Sequence, residues 1–311
     1  MDPIEEIIKV IKNVANFYLT PDQAQPFDDR TGILRSLDRA KNQASGKSPK
    51  NTVKDFKDAV NRYNVALKSL REDGTLARNL DRRHDIPLEL VNCILTQIYD
   101  RAVTPQVDTL RKYENGTDNV YGELQAGFLS RIFTETNLRS DHVFVDLGSG
   151  VGNVVLQAAL ETGCESWGCE MMDNASKLAM MQEKEFAARC RLWGIAPGRV
   201  KLCHNNFMED GPTLKALKKA DVVLVNNQAF TPELNDKLKL LFLELKDGCK
   251  IVSLKSLVAD QNSRNANDVT SNLSVEQKEY YEGSVSWTSI GGSYFIATKG
   301  GRRGQSYDSS S

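Results

Sequence analysis

The stretch that most constrains the fold is residues 142–154, HVFVDLGSGVGNV. A β-branched apolar run, Val143, Phe144 and Val145, ends in Asp146 and passes through Gly148, Gly150 and Gly152. It then resumes as the apolar run Val154, Val155, Leu156. That order is strand, tight glycine turn, helix start. Glycine takes positive φ cheaply and lets a ligand approach the backbone, so such a turn sets free helix N–H groups against a bound polar ligand.

With 311 residues, 40% of them hydrophobic, the chain can build one large or two ordinary domains around a real core. Net charge is -1, which gives no global argument for nucleic acid as a partner. The distribution is uneven: between Arg30 and Arg83 there are 14 Lys/Arg against 6 Asp/Glu, a local excess of 8 positive charges. The 6 cysteines form no C-x-x-C pair and most sit in apolar runs, which points to a reducing compartment and no structural zinc. The N-terminal stretch MDPIEEIIKVIKNV alternates charged and apolar residues at helical spacing, unlike a signal peptide or a membrane span.

Residues 1–118 read as helical. Ile4, Ile7, Ile8 and Ile11, and later Phe56, Val60, Tyr63, Leu67 and Leu70, recur at three and four and give amphipathic faces. The polar stretch 44–51 reads as a loop between helices, and Pro87 opens a further helix. The turn-rich stretch 112–119, KYENGTDN, marks the expected domain junction. Beyond it, strand and helix alternate as in a mostly parallel sheet covered on both faces. Strands are expected at 143–146, 166–170, 200–203, 222–226 and 249–254. A closing antiparallel hairpin is expected from 284–288 and 293–298, joined across Gly291-Gly292. Residues 260–274 read as a polar loop and 300–311 as a disordered tail. The expected organisation is therefore a helical domain at 1–118 and an α/β domain at 119–299.

The glycines read G-x-G-x-G, unlike the dinucleotide fingerprint G-x-G-x-x-G, and no Lys-Ser/Thr follows to make a P-loop. The remaining common user of this turn is a seven-stranded, Rossmann-like class I methyltransferase that binds S-adenosylmethionine. The amino-acid end of that ligand meets the turn, and its ribose meets an acid at the end of the next strand. Glu170 lies 24 residues after Asp146 and suits that role, because one carboxylate can accept from two hydroxyls. The bland reading makes Asp146 a helix cap and Glu170 a solvated strand end. Asn206 offers an amide to an adenine edge and Phe207 a ring to its face. Asn226 and Asn227 end the fourth strand, at the sheet edge where open α/β proteins place catalysis, unless they only begin the turn toward Pro232. A target amine must be desolvated and neutral to attack a sulfonium, so aromatic walls are expected and no metal is required. Phe230, Trp287 and Tyr294 can supply the walls, and each is as compatible with a core position. The N-N-x-x-F strand end is also a loose cousin of the N/D-P-P-Y/F signature of enzymes that methylate nucleic-acid bases, with both prolines missing. The basic N-terminal region fits DNA, RNA or an anionic nucleosome surface, or simply a solvated face.

Taken together, VYGEL (120–124), VFVDLGSGVGN (143–153), GCE (168–170), LVNN (224–227) and SVSWT followed by Tyr294 resemble one family. It is the Dot-one-type (disruptor of telomeric silencing) histone-lysine methyltransferases, a family without a SET domain. The likeness covers residues 85–300, and the wording of the motifs is closer to fungal than to animal members. It implies a nuclear chromatin regulator, linked to telomeric silencing, that methylates a lysine in the folded core of histone H3 on the nucleosome. The histone H4 tail, ubiquitinated histone H2B and DNA are implied as further contacts. By motif, Asp146, Gly148, Gly150, Asn153, Glu170 and Asn206 would bind S-adenosylmethionine, Tyr121, Glu123 and Leu124 would fold over its methionine end, and Phe207 would lie on the adenine. Asn226 would line the lysine channel, with Phe230, Trp287 and Tyr294 as walls. Two positions depart from the family: Asn206 stands where an acid is common, and Gln228 where a phenylalanine is usual. A nucleic-acid base methyltransferase and a catalytically silent nucleosome-binding module remain the alternative readings.

Overall fold

The computed structural model describes residues 3–44, 52–83, 85–111, 122–258, 270 and 272–300. Tyr121, Lys47 and Lys50 of the basic stretch between Arg30 and Arg83, the junction at 112–119, most of the loops expected at 44–51 and 260–274, and the tail from 301 lie outside these residues.

The isoleucines at helical spacing form α1 (Pro3–Asn13), with Ile8 and Ile11 buried. After α2 (Pro21–Ala24), the helices α3 (Ile33–Ala44) and α4 (Thr52–Glu72) pack side by side, and α5 (Thr75–Leu80) follows. Tyr63 of α4 meets Phe27 edge to face at 6.0 Å. α6 (Leu88–Ala102) starts one residue after Pro87. Two compact units make up the chain, Met1–Cys93 and Ile94–Ser311, so the division falls inside α6, upstream of residue 118.

In the second unit, α7 (Ala126–Glu135) leads into β1 (Val143–Leu147), α8 (Asn153–Thr162), β2 (Glu165–Glu170), α9 (Asp173–Trp193) and β3 (Val200–His204). Then come α10 (Gly211–Leu217), β4 (Val222–Val225), α11 (Pro232–Leu241), β5 (Lys250–Ser253), β6 (Leu273–Tyr280) and β7 (Gly292–Lys299). The seven strands lie in the order β3-β2-β1-β4-β5-β7-β6. β1 to β5 run parallel, while β7 is antiparallel to both β5 and β6. This is the expected sheet with its closing antiparallel pair.

Alternate residues of each central strand face opposite sides, so both sides must be covered. Phe144, Val222 and Leu224 pack with Phe128, Ile132 and Ala158 of α7 and α8. Val145, Leu147, Val223 and Val225 pack instead with Ala216, Leu217 and Leu238 of α10 and α11. The strand order reverses between β1 and β4, which opens a crevice beyond their carboxyl ends.

One strand differs from expectation. The partner of β7 is Leu273–Tyr280, and 284–288 is not the other arm of the hairpin. β6 is an edge strand whose Glu276, Gln277 and Lys278 lie in an otherwise alternating pattern, and that polarity hides it in the sequence. No helix among the described residues is long and apolar enough to cross a membrane.

Candidate active site

The chain leaves β1 at Leu147 and turns through Gly148, Gly150 and Gly152, with φ of +82°, +54° and +89°. Three left-handed residues in five fit glycine alone at acceptable strain. The N–H groups of Gly148 and Ser149 both donate to the Cys169 carbonyl (3.0 and 3.1 Å), tying the turn to β2. Close approach is also needed from the other side: a Cβ on Gly168 would lie 2.7 Å from Ser149 and Val155 side-chain atoms.

A cleft of about 950 Å³, part of it open solvent, lies above this turn. Its walls include Gly122, Glu123, Leu124, Asp146, Gly148, Gly150, Asn153, Glu170, Phe207, Asn226 and Phe230, which brings together most of the residues singled out by sequence. Asp146 and Glu170 face it from neighbouring strand ends and are 2% and 9% exposed. Burial, then the neighbouring Glu170, pushes the Asp146 carboxyl up to about 8. Burial raises Glu170 too, but its carboxylate is anchored: Oε2 accepts from the Gly150 N–H (2.9 Å) and Oε1 from the Met172 N–H (2.7 Å). The Met171 N–H is a third backbone donor to this carboxylate, and the acceptor capacity left over is open to a ligand hydroxyl. Phe207 and Phe230 stack at 6.5 Å with planes 24° apart, and Phe230 Cζ lies 3.7 Å from the position of a Cβ on Gly148.

At the end of β4 the two asparagines do different things. Asn226 lines the cleft, its Nδ2 donating to the Gly122 carbonyl at 3.4 Å, while its buried Oδ1 has no hydrogen-bond partner among the described residues. Asn227 is 0% exposed and acts as a bolt. Its Oδ1 accepts from the N–H groups of Leu254 and Lys255 (3.0 and 2.8 Å), and its Nδ2 donates to Asn235 Oδ1 and the Lys255 carbonyl. It therefore fixes the end of β4 to the end of β5 and to α11. Thr231 caps α11 with Pro232 behind it, which sets the chain direction just after Phe230.

Residues 99–299 match the model of the family described as histone methylation protein DOT1. The chain belongs to the DOT1 family. A protein of Emericella nidulans named "Histone-lysine N-methyltransferase, H3 lysine-79 specific" is 53% identical over 99% of this chain and 61% of its own length. Proteins of the same name from Chaetomium globosum and Yarrowia lipolytica are 58% and 40% identical, each over 96% of this chain and 58% and 60% of their own lengths. The chain thus spans about three-fifths of the curated relatives it matches. Among solved structures, an RNA methyltransferase from Salinibacter ruber, in complex with S-adenosyl-L-homocysteine, overlays with a TM-score of 0.41 at 20% identity, over 59% of this chain and 97% of that one.

Two DOT1 motifs far apart in sequence meet at the rim of the cleft. Leu124 bridges Val285, the Glu123 N–H donates to Ser286 Oγ (2.8 Å), and the Glu123 carbonyl accepts from the Ser286 N–H (2.9 Å). Residues 284–286 are thus the strap that holds 123–125. Trp287, 36% exposed, presses on Gly122, where a Cβ would lie 2.6 Å from its Cε3. Trp287 reaches the cleft through that glycine without lining it.

Two expected site residues stand elsewhere. Tyr294 is 0% exposed, packs edge to face on Phe128 at 5.0 Å, and donates its hydroxyl to Glu135 Oε2. It is a core tyrosine under α7 rather than a channel wall, because Arg131 and Glu135 supply the polar partners that let its hydroxyl stay inside. Asn206 does not line the cleft either: its Oδ1 accepts from the Met208 N–H (3.0 Å) and organises the turn ahead of α10. Gln228 is exposed and also outside the lining. Tyr99, Gln182 and Ser286 are not legible in the sequence as site residues, yet all three bond to residues of the rim. The signal for Gln182 is an amide on the stripe Ala175, Leu178, Ala179 and Phe186 that α9 buries.

Proposed function

We propose that this chain is a histone-lysine N-methyltransferase. It moves methyl groups from S-adenosylmethionine to a core lysine of histone H3 in nucleosomes, in the nucleus. The observation that carries the reading is the Asn226 Oδ1, a buried acceptor with no partner among the described residues, in the same cleft as the glycine turn. A buried unsatisfied acceptor costs about 1–3 kcal/mol, so the site is incomplete until a donor enters, and a primary amine supplies one. The names of the DOT1 relatives support histone H3 as the protein substrate and lysine 79 as the target within it.

The residues present fit the methyl donor. Glu170 offers a fixed carboxylate to the ribose hydroxyls, and Phe207 offers ring surface to a flat base. Glu123 and Leu124 on the strapped rim would hold the amino-acid end, with Asn153 bonded to Glu123, and Tyr121 belongs to the same rim segment by sequence. When bound, the donor supplies a sulfonium methyl open to in-line displacement. The chain contributes position and desolvation. Leu224, Phe230 and Leu234 would exclude water and favour the neutral amine, and Asn226 Oδ1 would accept an amine N–H and so orient the nucleophile.

Exposed Lys54, Lys57, Arg62, Lys68 and Arg71 along α4 support a DNA contact for the N-terminal unit. The histone H4 tail and ubiquitinated histone H2B belong to the same reading as further nucleosomal partners. Labelled methyl transfer to intact nucleosomes, free histones, DNA and RNA tests it. Label on histone H3, strongest in nucleosomes, is the expected result. Label on nucleic acid, or nucleosome binding with no label at all, overturns it.

A further inference from the structure

Glu123 is held from more directions than a rim residue needs. Its backbone is clamped to Ser286 on both polar groups, and its Oε1 accepts from Asn153 Nδ2 at 3.1 Å. Burial, then the charge of Glu123 and hydrogen bonding to it, pushes the Tyr99 hydroxyl up, which sets that hydroxyl, near the end of α6, beside the same side chain. Asn153 is itself oriented by Gln182, which is 1% exposed on α9. Gln182 Nε2 donates to Asn153 Oδ1 (2.8 Å) and to the Val151 carbonyl (2.7 Å). That second bond fixes the sense of the chain, because a flipped Gln182 amide would set oxygen against the Val151 carbonyl oxygen. Every donor then points one way, from Gln182 to Asn153 to Glu123, with Tyr99 closing from the other side. The ring of Tyr99 and residues Ala102 and Val103 pack with Val151, Ala175 and Leu178, so the hydroxyl is set by the core. The string ends at the cleft rim on a carboxylate that these donors hold in one orientation, and its charge suits a cation.

We propose that Tyr99 and Gln182 are positioning residues that hold Glu123 and Asn153 in the geometry required by the α-ammonium end of the methyl donor. The inference rests on the methyltransferase reading above. It explains why an amide sits inside the apolar face of α9 and gives α6, which precedes the sheet, a part in the site. Removing either residue leaves the ribose and base contacts alone and loosens only the amino-acid end.

The test is calorimetric titration of the full chain with two probes, S-adenosylhomocysteine and 5′-methylthioadenosine, the second lacking the amino-acid end. Tyr99→Phe and Gln182→Met are expected to weaken S-adenosylhomocysteine about tenfold, the size of one charged hydrogen bond, while leaving 5′-methylthioadenosine within about twofold of the parent. Equal losses for both probes would mean a general structural role, and no loss for either would mean no role; both results overturn the proposal. If Gln182→Met does not fold, Tyr99→Phe, which deletes a single oxygen, decides alone. Failure of the unaltered chain to bind S-adenosylhomocysteine would instead refute the methyltransferase reading, and this inference with it.

Discussion

Asp146 gives the site a pH dependence whose sign follows from its surroundings. Its carboxyl ends β1 at 2% exposure and is pushed up to about 8 by burial and then by Glu170, so in the ligand-free protein at neutral pH it is mostly protonated. A ligand that brings an ammonium into the cleft favours the ionised form, and binding then expels the proton. While the free protein is protonated and the complex ionised, affinity rises about tenfold per pH unit, or about 1.4 kcal/mol. Between about pH 5.5 and about pH 7.5 the gain approaches ~100-fold. The assay is calorimetric titration with S-adenosylhomocysteine across that range, in two buffers of different ionisation enthalpy, which also counts the protons released. Glu170 adds nothing of this sign, since the ribose hydroxyls it would receive are neutral. Asp146→Asn fixes the uncharged form, so its affinity is expected to be weak and flat with pH. A flat profile for the unaltered chain, with no proton released, would refute the reasoning.

The same carboxyl bears on stability: with its folded pKa above the unfolded value of about 4, it costs nothing at lower pH, and the cost grows as pH rises toward about 8. Asp146→Asn should therefore raise the melting temperature of the ligand-free chain most at alkaline pH, and an equal change at about pH 4 would contradict this. Asn227→Ala breaks four hydrogen bonds and should destabilise the second unit by about 3–5 kcal/mol in denaturant titration, whereas Asn226→Ala should keep the stability and lose methyl transfer. Tyr294→Phe takes a donor from Glu135 and should cost about 1–3 kcal/mol of stability while leaving methyl transfer on nucleosomes close to the parent, the reverse of what a channel wall would show. Replacing Lys54, Lys57 and Arg62 together by alanine should weaken nucleosome binding and flatten its salt dependence, by about one unit of slope for each phosphate no longer neutralised; an unchanged slope would remove DNA from the reading.

What the sequence carries legibly is local. Gly148, Gly150 and Gly152 announce their turn because no other residue takes those φ values cheaply, and β1 and β4 announce themselves as apolar runs because both their faces are buried. Glu170 is found by spacing alone, since it must close the strand after the turn. β6 is missed because an edge strand needs only one apolar face, and Glu276, Gln277 and Lys278 break the apolar run that would mark a strand. Tyr294 is misplaced for a related reason. An aromatic in a strand shows its hydrophobicity but not which side of the sheet it meets, and the partner that settles the matter, Glu135, lies 159 residues away.

The paired asparagines show the same limit at closer range. Adjacent residues at a strand end point to opposite sides, so Asn226 and Asn227 cannot share one task. Asn226 turns toward the cleft and keeps an acceptor unpaired among the described residues, while Asn227 turns into the seam between β4, β5 and α11, where its side-chain bonds are made. Donation from Asn226 Nδ2 to the Gly122 carbonyl sets which way that amide faces, and Asn227 holds the chain just beyond it. The cleft is therefore shaped in part by Asn227, a fully buried residue outside its lining, whose partners, Leu254, Lys255 and Asn235, come from segments that no sequence motif joins.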